Sequence, residues 1–213
     1  GEAVLYAAAT LFEFQMKRTR RWFFKAVAVA LTADLPRRAR AQAHSEIRVG
    51  SIAFRLGLPD AVTRAIVAHS PLPPAQRKYS HAGIVAATGR HVIHALPRVG
   101  VHVSTIDEFV AESRDVAFLL PPPSARALAI ANAAASMLGA PFDDDLRLSE
   151  SDALYCTELV ACALKKTGVL VDPRLLRVPF FDEPVIHPDT LFLDLLAAGF
   201  QSAMRNSSIE RPD

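Results

Sequence analysis

The sequence predicts an α+β fold, because strand-like and helix-like segments mix along it without the regular alternation of a parallel-sheet protein. Apolar residues make up 51% of the chain and charged residues 22%, a balance that is typical of globular proteins and excludes a wholly disordered chain. The length of 213 residues favours one domain over two, since a domain usually takes roughly 150 residues.

Short apolar runs bounded by Gly, Pro or polar residues predict the strands. They cover residues 51–55, 82–87, 91–95, 101–104 and 116–120. Thr88-Gly89 separates the second run from the third and predicts a hairpin turn, and three prolines stop the last run.

The spacing of apolar residues, together with capping residues, predicts the helices. The expected segments are 61–68, a short helix that starts at Thr105, then 124–138, a helix within 149–166, and 189–198. Thr105 and Glu108 stand in the capping-box pattern. Ser151 and Asp152 are the residues expected to cap the helix that carries Cys156.

Residues 1–48 differ in composition from the domain that follows, which we place at 49–205 before a polar tail at 206–213. Residues 16–41 hold a basic start, a short apolar run and a small-residue site, the order found in a secretory signal. The run from Thr19 to Lys25 resembles a twin-arginine export signal. Cleavage after Ala41 would place the protein in the periplasm or cell envelope. The alternative is a basic helix packed on a cytoplasmic domain.

Charge and cysteine content exclude other classes of protein. The formal net charge is only +2, whereas a dedicated nucleic-acid binder usually carries a large basic excess. Two cysteines, Cys156 and Cys162, are too few for a disulfide framework. No apolar run approaches the roughly 18 residues of a membrane-spanning helix, so no transmembrane segment is expected.

Cys156 is the candidate nucleophile, because it follows the expected start of a helix. A thiol at that place feels the positive end of the helix dipole, which favours the reactive thiolate. The thiolate also needs a base and a group that orients the base, and His81 and His94 are available for these tasks. With a two-residue hairpin turn, Gly83 falls opposite His94 and leaves open space between the two histidines, which share one face. A three-residue turn would move His94 to the other face.

These residues also have a purely structural interpretation. A lone cysteine on a helix is usually a small buried hydrophobe, and we keep that interpretation for Cys162. His91, His94 and His102 suggest a metal site, but His91 and His94 point to opposite faces of one strand. We therefore expect neither a metal nor another cofactor.

Separated blocks of sequence resemble a known family in their order and spacing. They are Lys78–Val85 with Val92–Ala95, Gly139–Asp143, and Tyr155–Val160. The order resembles the YiiX-type permuted papain-like hydrolases, relatives of the NlpC-type cell-wall peptidases and of the lecithin–retinol acyltransferases. In that permuted branch the cysteine helix follows the histidine strand, as it does here. The likeness runs from about Gly50 to Phe200.

The resemblance implies a circularly permuted papain-like fold with an antiparallel sheet. It also implies that Cys156 is the nucleophile, His81 the general base and His94 the residue that orients the base. In YiiX-type members that third position is often glutamate, whereas histidine is typical of the cell-wall branch. The Gly-Asp pair that usually opens the first strand is Gly50-Ser51 here.

The resemblance implies attack on an acyl bond and leaves the substrate open. Export would favour amide bonds of cell-wall peptides, a lipid-like acyl substrate is the alternative, and a non-catalytic binding module is a third hypothesis. Tyr79, Tyr155 and Glu158 are candidate substrate-binding residues, because they stand near His81 or Cys156 in the sequence. Helix packing and a first-turn charge preference explain Tyr155 and Glu158 equally well.

Overall fold

The computed structural model describes residues 47–150, 152–179 and 181–203. Its strands are β1 (Ile52–Gly57), β2 (His81–Val85), β3 (His91–Leu96), β4 (Gly100–Thr105), β5 (Ser113–Leu120), β6 (Leu175–Leu176), β7 (Val185–Ile186) and β8 (Gln201–Ala203). Its α-helices are α1 (Ala61–Ala68), α2 (Ile106–Ala111), α3 (Ala127–Ala135), α4 (Cys156–Lys166) and α5 (Pro188–Ala197). The export signal expected within residues 16–41 and the tail expected at 206–213 lie outside the described residues.

An antiparallel sheet forms the centre of the described part, which confirms the α+β prediction. Its six strands follow the order β4-β3-β2-β1-β5-β8, and β6 pairs with β7 in a separate ribbon. None of the described helices is long and apolar enough to cross a membrane.

The β2–β3 hairpin has the register that a two-residue turn predicts. Ile84 pairs with Ile93 and Val85 pairs with Val92, and one further step brings Gly83 opposite His94. Gly89 in the turn has a φ of 67°, a left-handed conformation that glycine adopts without a steric penalty. The shared face that we predict for the two histidines is confirmed.

The two faces of the sheet are covered by different elements, because side chains alternate along each strand. On one face Ile52, Phe54, Ala82, Ile84 and Ile93 form the main core with apolar residues of α3, α4 and α5. On the other face the short helix α2 packs its Ile106 and Phe109 against Ala53, Val85 and Val92. His81 and His94 fall on the face covered by α2.

Helix boundaries agree with the sequence at some ends and not at others. Thr105 and Glu108 cap α2 reciprocally, as predicted. The prediction that Ser151 or Asp152 caps the cysteine helix is wrong, because α4 begins at Cys156 itself and its N-cap residue is Tyr155. Helix α1 has the predicted bounds but buries none of its residues.

Candidate active site

A buried pair of histidines lies where β2 and β3 run side by side. The His81 Nε2 and His94 Nδ1 atoms are 2.8 Å apart and share a hydrogen bond. The two rings meet edge to face, with centroids 5.1 Å apart and planes at 76°. Only 9% of His81 and 1% of His94 is exposed, so this bond is shielded from water.

Arg55 and Phe109 complete the surroundings of the histidines. Arg55 pairs with His81 across β1 and β2, and its guanidinium lies 4.8 Å from the centroid of the Phe109 ring. Its Nη1 donates to Glu112 Oε2 at 2.8 Å and to the Phe109 carbonyl at 3.3 Å. The Nε of Arg55 is buried and has no hydrogen-bond partner among the described residues.

This environment keeps both imidazoles neutral. Burial lowers the pKa of His81 well below its ordinary value, and the neighbouring His94 and Arg55 lower it further. Burial, helped by His102 and Arg55, lowers the pKa of His94 to about 3. A neutral imidazole has one bare nitrogen, so His81 is able to accept a proton at physiological pH.

Cys156 is the first residue of α4, which packs against β2 and β3. Its half-buried thiol lies by the backbone N–H of Ala82, the residue that follows His81. Burial raises the pKa of the thiol, although the N–H groups of Ala82 and Thr157 and the charge of Arg55 act in the opposite direction. The helix start acts in the expected direction, but desolvation outweighs it, and the net effect raises the pKa of the thiol.

The resting site thus combines a neutral thiol with a neutral imidazole. Among the described residues, no hydrogen bond connects the thiol to a histidine ring, and such bonds often form only when substrate is bound.

Asp189 fixes the chain just ahead of His81. Its carboxylate accepts hydrogen bonds from the backbone N–H groups of Lys78 at 3.0 Å and Tyr79 at 2.8 Å, and from the Ser70 hydroxyl at 2.6 Å. Asp189 lies in the first turn of α5 and is 2% exposed. Helix α5 therefore positions the strand that carries the candidate base.

Tyr155 and Glu158 are held inside the protein. The Tyr155 hydroxyl accepts a hydrogen bond from the Ile186 N–H at 3.0 Å, and Glu158 accepts one from the Tyr155 N–H at 3.4 Å. Both residues are buried, and burial raises the pKa of both, that of Glu158 to about 7. These contacts give both residues a structural task, because they join the start of α4 to β7.

Tyr79 is also buried, but it lines a cavity of about 220 Å³ whose other walls include Leu72, Gln76, Lys78, Asp189, Phe192 and Leu193. Its ring packs against Phe192 with centroids 4.7 Å apart. Tyr79 therefore remains a candidate for substrate contact.

Arg55 is the residue near the site that the sequence analysis missed. An arginine at the end of a predicted strand suggests a solvent-exposed charge. The available signal was its alternation with Ala53, which puts its side chain on the same face as the histidines.

Comparison with known proteins agrees with the geometry of the fold. Residues 46–184 match the family model described as permuted papain-like amidase enzyme, YaeF/YiiX. The crystal structure of the metalloprotein YiiX from Escherichia coli O157:H7 is similar, with a TM-score of 0.59 and 17% identity; the match covers 76% of this chain and 98% of that one. A search of curated proteins finds no match.

The described side chains do not fit a metal centre. Within residues 47–150, 152–179 and 181–203, no three His, Cys, Asp or Glu side chains are grouped so that they could hold a metal ion. One ring nitrogen of His81 and one of His94 are already committed to their mutual hydrogen bond.

Proposed function

Because this chain belongs to the permuted papain-like amidase family of the YaeF/YiiX type, we propose that it cleaves amide bonds with Cys156 as nucleophile, His81 as general base and His94 as the orienting residue. The observation that carries the proposal is the buried 2.8 Å hydrogen bond between His81 and His94. It lies on the strands against which the cysteine helix packs.

The thiol is activated by the ring nitrogen of His81 that His94 does not bind. The Nε2 atom of His81 is hydrogen-bonded to His94, which leaves the Nδ1 atom of His81 to take the thiol proton. The sulfur then attacks the carbonyl carbon, an S–C bond forms, and the carbonyl π electrons move to the oxygen. The backbone N–H of Cys156 is one donor available to the oxyanion.

Collapse of the tetrahedral intermediate completes the first half of the reaction. The C–N bond breaks, and the imidazolium of His81 returns its proton to the leaving amine. A water molecule, deprotonated by His81, then attacks the thioester and releases the carboxylic acid and the free thiol. Proton transfer accompanies attack in this scheme, because both Cys156 and His81 are neutral at rest.

For the substrate we propose an amide bond in cell-wall peptides. The support comes from the sequence pattern of residues 16–41, which resembles an export signal and would bring the enzyme to the peptidoglycan. A second candidate, a lipid-like acyl substrate, is supported by the apolar part of the cavity at Tyr79, formed by Leu72, Phe192 and Leu193, although Gln76, Lys78 and Asp189 line the same cavity. The sequence suggests that an apolar cleft near Phe180, Phe181 and Phe192 would favour lipid; Phe192 lines this cavity, and Phe180 lies outside the described residues.

The test of the catalytic assignment is formation of an acyl-enzyme with an activated ester, followed by intact-protein mass spectrometry. We expect one adduct on Cys156 in the wild type and none in Cys156→Ala. Cys162→Ala is the matched control, since it removes a half-buried thiol from the same helix. His81→Ala should slow adduct formation more than His94→Gln, because proton transfer is the larger task.

The outcomes separate the hypotheses. An adduct that persists in Cys156→Ala would refute the nucleophile assignment, and the reverse ranking of the histidine variants would exchange their roles. No adduct in the wild type would favour the binding module. The values of kcat/KM for hydrolysis of muropeptides and of lipid-like N-acyl amides are then compared, and the larger value identifies the substrate class.

A further inference from the structure

Hydrogen bonds continue beyond His94 toward the edge of the sheet. The Nε2 of His94 lies 2.9 Å from the Ser104 hydroxyl oxygen, which is 3.4 Å from Nε2 of His102. The Nδ1 of His102 is 3.2 Å from the carbonyl oxygen of Gly100. His94 and His102 face each other across β3 and β4, and Ser104 and His102 are both half-buried on the edge strand.

When the three histidine rings are neutral, the Gly100 carbonyl determines which atom donates and which accepts in each of these hydrogen bonds. A carbonyl oxygen only accepts, so Nδ1 of His102 must carry the proton and Nε2 must be bare. A bare Nε2 requires the Ser104 hydroxyl to donate to it. Ser104 has a single proton, so it must accept from Nε2–H of His94.

The same assignment of protons extends to His81, the candidate base. With its proton on Nε2, His94 has a bare Nδ1 and accepts a hydrogen bond from Nε2–H of His81. Neutral His81 then has a bare Nδ1, the nitrogen that the proposed mechanism needs. This assignment is the one that keeps all four contacts as hydrogen bonds between neutral groups.

We propose that Ser104 and His102 are positioning residues that fix the protonated nitrogen of His94 and, through it, the basic nitrogen of His81. The proposal rests on the proposed function of Cys156, His81 and His94. In the opposite arrangement His94 would donate from Nδ1, and His81 would carry its proton on Nδ1. That nitrogen could then not accept the thiol proton.

The surrounding charges do not determine which ring nitrogen of each histidine carries the proton. Arg55 approaches from β1, and its carboxylate partner Glu112 follows α2. Helix α2 itself presents the Phe109 ring to His94, with centroids 5.4 Å apart, and α4 brings the neutral thiol of Cys156. A fixed cation disfavours protonated histidine, but it leaves the choice between the two neutral tautomers to the hydrogen bonds.

The experiment uses the full chain and two readouts, the histidine tautomers by ¹⁵N NMR and the rate of Cys156 alkylation by iodoacetamide. In the wild type we expect the proton on Nε2 of His81 and His94 and on Nδ1 of His102. Ser104→Ala removes the acceptor of His94, so mixed tautomers and an alkylation rate about tenfold lower are expected, the factor that corresponds to about 1.4 kcal/mol.

Two further variants separate positioning from packing. Ser104→Thr keeps the hydroxyl and should restore both the tautomer and the rate. Val103→Ala is the matched control on the same edge strand, since Val103 is 44% exposed, and should leave both readouts unchanged. His102→Phe keeps a ring beside His94, now 4.3 Å between centroids, but removes the acceptor of Ser104, so it should shift the tautomer without unfolding the sheet.

The possible failures are distinguishable. If wild-type Cys156 reacts no faster than Cys162, the proposed function fails. If Cys156 is reactive and depends on His81, yet Ser104→Ala leaves the tautomer and the rate at wild-type values, the positioning role is refuted and the proposed function stands. A rate loss in Ser104→Ala that Ser104→Thr does not restore would also overturn the proposal.

Discussion

Adding a single methyl group at Gly83 should lower the catalytic rate far more than it lowers the stability of the fold. A Cβ built on Gly83 would lie 2.6 Å from Cγ1 of Val92, 2.9 Å from the Ile93 carbonyl oxygen and 3.0 Å from Cβ of His94. The prediction that Gly83 leaves open space between the two histidines is therefore wrong, because atoms of β3 already fill the space beside Gly83. The Gly83→Ala variant therefore pushes β2 and β3 apart beside the His81–His94 bond.

The contact distances set the expected magnitude. Carbon atoms prefer separations of about 3.5 to 4.0 Å, so the Val92 methyl must move by about 1 Å. Overpacking of this kind costs about 1 to 3 kcal/mol, and the lower chain entropy of alanine in a strand offsets about 0.5 to 1 kcal/mol. We expect a net loss of at most about 2.5 kcal/mol in the free energy of unfolding. Catalytic groups misplaced by about 1 Å can lose about 100-fold in rate.

The assay combines urea unfolding with the rate of acyl-enzyme formation. Val92→Ala in the Gly83→Ala background removes the closest contact but leaves the contact with His94 Cβ. The double variant should be more stable than the sum of the two single changes by at least about 0.5 kcal/mol, while its rate stays low. Gly83→Ala with wild-type rate and stability would refute the reasoning, because the hairpin would then have room that the distances deny.

Two other perturbations follow from the charges of the site. Arg55→Met removes the cation that lowers the pKa of His81, His94 and Cys156, so NMR titration should show the pKa of His94 rising from about 3. Alkylation by anionic iodoacetate should also slow relative to neutral iodoacetamide, and an unchanged ratio would contradict the assignment. Glu158→Gln should remove a pH dependence of stability. Since burial raises the pKa of Glu158 from 4.5 to about 7, the folded state binds more protons in that range, and the wild-type free energy of unfolding falls as pH rises through it, by up to about 3 kcal/mol. Urea midpoints with the same slope for both proteins between pH 4.5 and 7 would exclude this role.

The elements set by local chemistry could be predicted from the sequence. A two-residue turn at Thr88-Gly89 fixes the hairpin register, because side chains alternate with a period of two, and the histidine pair follows from it. Thr105 and Glu108 likewise cap α2 as their spacing predicts. The family resemblance supplied the order of the cysteine helix and the histidine strand, and the family match confirms that fold.

Features that depend on burial could not be predicted in this way. The position of Cys156 at a helix start suggests a thiolate, but the desolvation that raises the pKa of the thiol arises only when α4 packs on the sheet. The Ser104–His94 contact depends on the register between β3 and β4. That register is set by the loop around Arg98, whose positive φ of 67° is unusual for a residue with a side chain.

The position of Asp189 late in the chain determines when, during synthesis, the site can be completed. Asp189 binds the N–H groups of Lys78 and Tyr79, residues that lie 111 and 110 positions earlier in the chain. A ribosome therefore finishes both histidines and the cysteine well before the helix that anchors their strand. A nascent chain arrested ahead of α5 contains every residue proposed for catalysis, yet the strand that carries the base still lacks its anchor. We expect the growing polypeptide to stay inert toward acyl groups until α5 has emerged and docked.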